Sequence, residues 1–313
     1  MPRKFNLVLK GFMLVFLLVN VMAIFHAYKF THFNKEGNLK TDAQKISLAQ
    51  EIKILFTGVS LPRPTTKHLP TRPYITFNLQ SNVNINVWEM QTSLPSKGYV
   101  ILFHGYGGEK SDMLDRAYSL LDMGYDVMLP DFMGAGGSEG NQCTIGFKEA
   151  DNVVTCVQYL KAKGVQNIYL LGASMGAASI MHAYAKRALP VKGIILECPF
   201  GSMRQTVKNR FEMMHVPYFP MGDLLVFWGG IENGFNAFSN NPEEYAKQLK
   251  LPVLLMYGER DDRVKRFEIE HIYNNLPGIK TLKTFPLSGH ESYLNKYPEE
   301  WKSEVRQFLN KNR

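Results

Sequence analysis

Five short apolar runs limit what this chain can fold into: residues 99–103, 126–129, 168–171, 194–196 and 253–257. Each is nearly continuous in apolar side chains, the pattern of a strand buried on both faces of a sheet. Segments of helical length, including 110–123, 148–163 and 175–189, lie between these runs. Alternation of this kind predicts an α/β fold, a doubly wound and mostly parallel sheet with helices on both faces. Upstream, residues 74–79 and 84–90 alternate apolar and polar side chains, as half-buried antiparallel strands do, so an antiparallel edge should lead the sheet. Ligands in such sheets bind beyond the carboxyl ends of the strands, which directs attention to the residues just after each run.

After 168–171 stands Gly172-Ala173-Ser174-Met175-Gly176, followed at once by a helical pattern. A serine on a sharp strand-to-helix turn lifts its Oγ above the sheet, and glycines two residues to either side keep the returning chain clear of a Cβ. Ser174 is therefore the candidate nucleophile. An acyl-transfer serine needs prebuilt donors for the oxyanion. The N–H of Met175, next after the nucleophile, is one candidate. The loop after 99–103 reads His104-Gly105-Tyr106-Gly107-Gly108, and the Tyr106 N–H is the other. His104 reads as a loop anchor. The acid and the base should follow Ser174 in that order, each after a strand. Three carboxylates qualify as the acid: Asp261 and Asp262 in the turn after 253–257, and Glu197 after 194–196. The base is His290 in Leu287-Ser288-Gly289-His290-Glu291, after a last strand at 281–285 and before a helix carrying Trp301, Val305 and Phe308.

Taken together, the Gly105-to-Gly108 loop, the stretch Pro130-Asp131-Phe132-Met133-Gly134-Ala135-Gly136-Gly137-Ser138, the serine turn and the later Asp and His resemble the α/β-hydrolase superfamily. Within it the chain is similar to the serine esterase, thioesterase and lipase-like group with a short cap, over roughly residues 74–310. The resemblance implies Asp261 as the acid, since the G-x-x-D-x-x-V pattern of that superfamily falls on it. Met133 departs from the pattern, standing where many relatives carry Arg. Dehalogenases and epoxide hydrolases of this fold use an aspartate nucleophile, and the serine here disfavours their chemistry. The implied activity is hydrolysis of carboxylic esters or thioesters through an acyl-enzyme, with no cofactor and no metal. An amidase or peptidase using the same triad is the alternative. The rival from another class is an inactive hydrolase fold serving as a membrane-bound interaction module.

Between residues 199 and 250 the strand pattern lapses and the chain becomes rich in Phe and Met, including Phe200, Phe211, Met213, Met214, Phe219, Phe227 and Phe238. An insertion there, at about 200–250, is expected to form a cap over Ser174. Its side chains would either line an apolar acyl pocket, favouring lipid-like esters, or only pack the cap down.

Net charge is +8, yet Arg3, Lys4, Lys10, Lys29, Lys35 and Lys40 against Glu36 place +5 of it in the first forty residues. What remains is too little for a basic binding face, so no nucleic acid is expected as a partner. Residues 11–28 carry no formal charge. As a helix they would span about 27 Å, near the thickness of a bilayer's hydrocarbon core. A retained single-pass signal anchor over 1–31 is expected, with 32–73 as a linker or stalk and 74–313 as the hydrolase domain. The closely spaced charges before the span favour a hydrolase domain outside the cytoplasm. Cleavage after Val21-Met22-Ala23 is the competing reading and would make the domain secreted or periplasmic. Cys143, Cys156 and Cys198 form no spacing that suggests a metal.

Overall fold

A computed structural model of the chain describes residues 2–34 and 57–313. A helix candidate at 46–56 in the expected linker lies outside the described residues. The described chain begins with helix α1 (Pro2–Thr31) and enters the sheet through β1 (Ile75–Gln80), β2 (Asn84–Met90) and β3 (Tyr99–Phe103). A single 3-10 turn (Lys110–Met113) leads into α2 (Leu114–Asp122), then come β4 (Asp126–Pro130), α3 (Glu149–Ala162), β5 (Ile168–Ala173), α4 (Met175–Lys186) and β6 (Gly193–Glu197). Three helices follow without a strand: α5 (Met203–Met213), α6 (Met221–Asn233) and the short α7 (Pro242–Ala246). The chain closes with β7 (Val253–Gly258), α8 (Arg266–Asn275), β8 (Lys280–Phe285), α9 (Tyr293–Lys296) and α10 (Pro298–Lys311).

The strands form one eight-stranded sheet in the order β1-β2-β4-β3-β5-β6-β7-β8. The β1–β2 and β2–β4 pairs are antiparallel and every other pair is parallel, as the residue patterns predicted. Both faces are apolar because successive side chains of each strand point to opposite sides. On β3, Ile101 and Phe103 join one core with Val153, Val157 and Leu160 of α3, Ile180 of α4 and Ile269 and Ile272 of α8. Val100 and Leu102 join the other, with Leu120 of α2 and Trp301, Val305 and Phe308 of α10. Beyond the sheet, the Asp131 carboxylate pairs with the buried Lys110 ammonium and accepts the Lys110 and Gly137 N–H groups, fixing the stretch that follows β4.

Within α1, residues Phe5–Thr31 are long and apolar enough to cross a membrane, and only 6% of the most apolar window is buried, unlike a core helix. Its second half lies along α6. Trp228 Nε1 donates to Asn20 Oδ1 at 3.0 Å. Ala23 and Ala27 are buried, and a Cβ placed on Gly229 would stand 3.9 Å from Ala27 Cβ, so small residues let the helices approach closely. The end of α1 then joins the body: the Cys143 N–H donates to Thr31 O at 2.8 Å, and the Phe33 N–H to Asn141 O at 2.7 Å. Residues 57–73 also touch the body, where Arg63 Nη1 donates to Gly136 O at 2.8 Å.

Candidate active site

Ser174 sits between the end of β5 and the start of α4 with φ 53° and ψ −112°, a left-handed conformation rare for a side chain with a Cβ. Neighbours enforce this strain. The Ser174 N–H donates to Glu197 O of β6 at 2.8 Å. A Cβ at Gly172 would lie 2.5 Å from Ala177 N, and one at Gly176 would lie 2.3 Å from Phe103 O. Both glycines are required by close backbone approach, as the turn motif predicts.

His290 Nε2 is 2.9 Å from Ser174 Oγ, and His290 Nδ1 is 2.7 Å from Asp261 Oδ2. Asp261 is buried, and its other carboxylate oxygen accepts the N–H groups of Arg263 and Val264, each at 2.9 Å. Three interactions thus fix the carboxylate. Asp262, one residue on, is exposed. Glu197 is engaged elsewhere, accepting from Arg116 Nη2 at 2.5 Å and from Trp301 Nε1 at 2.7 Å. The structure brings Ser174, His290 and Asp261 together and leaves the other two carboxylates out. Burial pushes the His290 imidazole down, but the Cys198 sulfur and the Asp261 carboxylate beside it prevail and raise it from 6.5 to about 10.

Met175 is the first residue of α4, so its N–H has no acceptor within that helix. Gly105 packs on the serine turn, where an added Cβ would stand 3.5 Å from Ala173 O. Gly105 and Tyr106 both line the cavity over Ser174. His104 anchors this loop, as expected: its Nε2 accepts the Phe132 N–H at 3.0 Å, which leaves Nδ1 to donate to Gly105 O at 2.9 Å. Tyr106 points its side chain towards α1, stacking on Phe30 with ring centroids 4.9 Å apart and donating its hydroxyl to Phe30 O at 2.6 Å.

The cavity is also lined by Met113, Arg116, Cys198, Arg210 and Arg263. Sequence reasoning missed all five. Cys198 follows β6 with φ 41°, and one ligating atom each from Cys198, Asp261 and His290 lie within 4.8 Å of one another. Of the apolar side chains expected over Ser174, none lines this cavity. Phe200 and Phe211 are buried in packing, whereas Met214, Phe219, Phe227 and Phe238 are exposed. Arg210 is the insertion's contribution to the lining.

The family described as Hydrolase_4, serine aminopeptidase S33, matches residues 95–226. The chain is 26% identical over 216 residues to the uncharacterized protein YqkD of Bacillus subtilis, covering 67% of this chain and 70% of that protein. It is 25% identical over 269 residues to the lysophosphatidylserine lipase ABHD12 of Danio rerio, covering 76% and 69% respectively. Among solved structures, the Pyrococcus furiosus esterase Pf2001 superposes with a TM-score of 0.65 at 23% identity, over 80% of this chain and 98% of that one.

Proposed function

The chain is a member of the α/β-hydrolase superfamily, and from that premise we propose that it is a serine hydrolase cleaving carboxylic esters of lipid-like substrates. The observation that carries the reading is the continuous chain of contacts from Ser174 Oγ through His290 to Asp261. His290 Nε2 takes the serine proton as Oγ attacks the ester carbonyl. Asp261 holds the imidazole in the tautomer that presents a free Nε2 and stabilises the imidazolium that forms. The N–H groups of Met175 and Tyr106 hold the oxyanion. The protonated His290 then releases the alcohol, and a water activated by the same imidazole frees the acid from Ser174. Lipid-like esters are favoured by the lipase among the relatives and by an apolar α1 docked beside the cavity. That helix would hold the enzyme at a membrane.

A fluorophosphonate probe tests the nucleophile: the full chain should label, and Ser174→Ala should not. A second reading, an aminopeptidase, is favoured by the description of the matching family. The two separate on a panel of p-nitrophenyl octanoate and aminoacyl p-nitroanilides. Hydrolysis of the ester at a kcat/KM at least about tenfold above any anilide supports the ester reading, and the reverse order assigns the peptidase.

The pH dependence follows from the position of His290. As the base it must be neutral, and its neighbours hold the proton more tightly than usual. Activity should therefore rise with pH, with the ascending limb of kcat/KM displaced to the alkaline side of 6.5. A limb at or below that value would mean that the carboxylate and the sulfur do not govern the imidazole.

A further inference from the structure

Two arginines that line the cavity over Ser174 form no ion pair with a carboxylate among the described residues. Besides His290, the cavity's charged lining consists of Asp112, Arg116, Arg210, Arg263 and Glu291. Asp112 pairs with Lys67 at 2.8 Å, Arg116 with Glu197 at 2.5 Å and Glu291 with Lys296 at 2.9 Å. The guanidinium groups of Arg210 and Arg263 have no hydrogen-bond or ion-pair partner among the described residues. Arg210 reaches in from α5, half-buried, while Arg263 comes exposed from the turn that carries Asp261. Burial lowers the hold of Arg210 on its proton, and repulsion from Arg263 lowers it further. Asp262 and Asp261 act in the opposite sense without cancelling this. Asp261 is committed to His290 and to two backbone N–H groups, so it is not free to pair.

Two guanidinium groups facing one cavity repel each other, at a free-energy cost that a negatively charged guest would remove. The planar fork of each also fits the paired oxygens of a phosphate or a carboxylate. We propose that Arg210 and Arg263 form an anion clamp beside Ser174, and that the preferred substrate is an ester bearing a phosphate or carboxylate group near the scissile bond. This rests on the reading of Ser174 as the nucleophile of an esterase. It narrows the substrate to amphiphiles whose polar end is anionic.

The test uses three esters with the same acyl chain: octanoyl glycerol, octanoyl glycerol phosphate and the octanoyl ester of hydroxypropanoate. All are assayed on the full chain below their micellar limits. At least one anionic ester should exceed the neutral one in kcat/KM by about tenfold or more, as charge-assisted hydrogen bonds would supply. The anionic ester preferred identifies the group. In Arg210→Gln/Arg263→Gln the ratio should fall towards unity, and in Arg263→Glu it should fall below unity. Fluorophosphonate labelling of each variant shows that the serine site is intact. Equal rates on all three esters, or a preference that survives both arginine substitutions, would overturn the clamp. Hydrolysis of none of them, with no labelling of the full chain, would sink the esterase reading itself.

Discussion

Replacing Ser174 with alanine is expected to lower kcat by at least about 10³ without changing the far-ultraviolet circular dichroism. In barrier terms that is about 4 kcal/mol, removed by deleting one oxygen 2.9 Å from His290 Nε2. The adjacent aspartates sharpen the test. Asp261→Asn should cost at least about 10², because the amide cannot both accept from His290 Nδ1 and keep the two backbone donors on its other oxygen without presenting an N–H to one of them. Asp262→Asn changes an exposed side chain and should stay within about threefold. A large loss at Asp262 with little at Asp261 would show that another carboxylate orients the imidazole.

The second large effect is on stability. Arg116 and Glu197 form an ion pair in which both side chains are almost wholly inaccessible, at 5% and 1%. Asp115 and the Trp301 indole complete the network, tying α2 and α10 to the strand beside the nucleophile. Arg116→Met leaves the Glu197 carboxylate buried without its cation and should destabilise the fold by about 3–5 kcal/mol. The loss should ease as pH falls, because an unpaired buried carboxylate takes up a proton more readily than one in the unfolded chain. Arg116→Met/Glu197→Gln removes the charge and keeps an acceptor for Trp301, so it should recover half or more of the loss. Chemical denaturation of the full chain at two pH values measures both quantities. A single variant within about 1 kcal/mol of the parent would mean that the pair contributes little.

The sheet was readable in the sequence because both-face burial leaves an unbroken apolar run, and β3 coincides with its run residue for residue. The serine turn was readable for a related reason: backbone at 2.3–2.5 Å from the missing Cβ atoms admits only glycine, so geometry is written directly into residue type. Choosing between Asp261 and Asp262 is different. Adjacent residues differ only in direction, and the backbone at the turn decides which is buried. Cys198, Arg210 and Arg263 were not legible as cavity residues at all. Nothing in local composition shows that a cysteine with φ 41° faces a histidine ninety-two positions later, or that an arginine on α5 turns inward. The apolar residues of the insertion leave both readings open in the sequence, because composition does not distinguish a side chain that lines a cavity from one that packs α5 and α6 to the body. The docking of α1 on α6 joins residues about two hundred positions apart, a contact that no periodicity encodes.

That docking gives the N-terminal helix a structural part to play beside the site in addition to any hold on a membrane. Phe30 covers one face of the Tyr106 ring and its carbonyl oxygen accepts the Tyr106 hydroxyl hydrogen bond, and Tyr106 belongs to the loop packed on the nucleophile turn. A chain trimmed at residue 35 for solubility loses that partner and also the acceptor of the Cys143 N–H. It is an altered enzyme, not the same one set free, and rates measured on it describe a differently supported loop. Processing after Ala23 would act otherwise. It would remove Asn20 and release Trp228, yet keep Phe30, Thr31 and Phe33 seated against the body. The two ways of shortening the chain are thus physically distinct, and a comparison of their turnover separates the helix as anchor from the helix as scaffold.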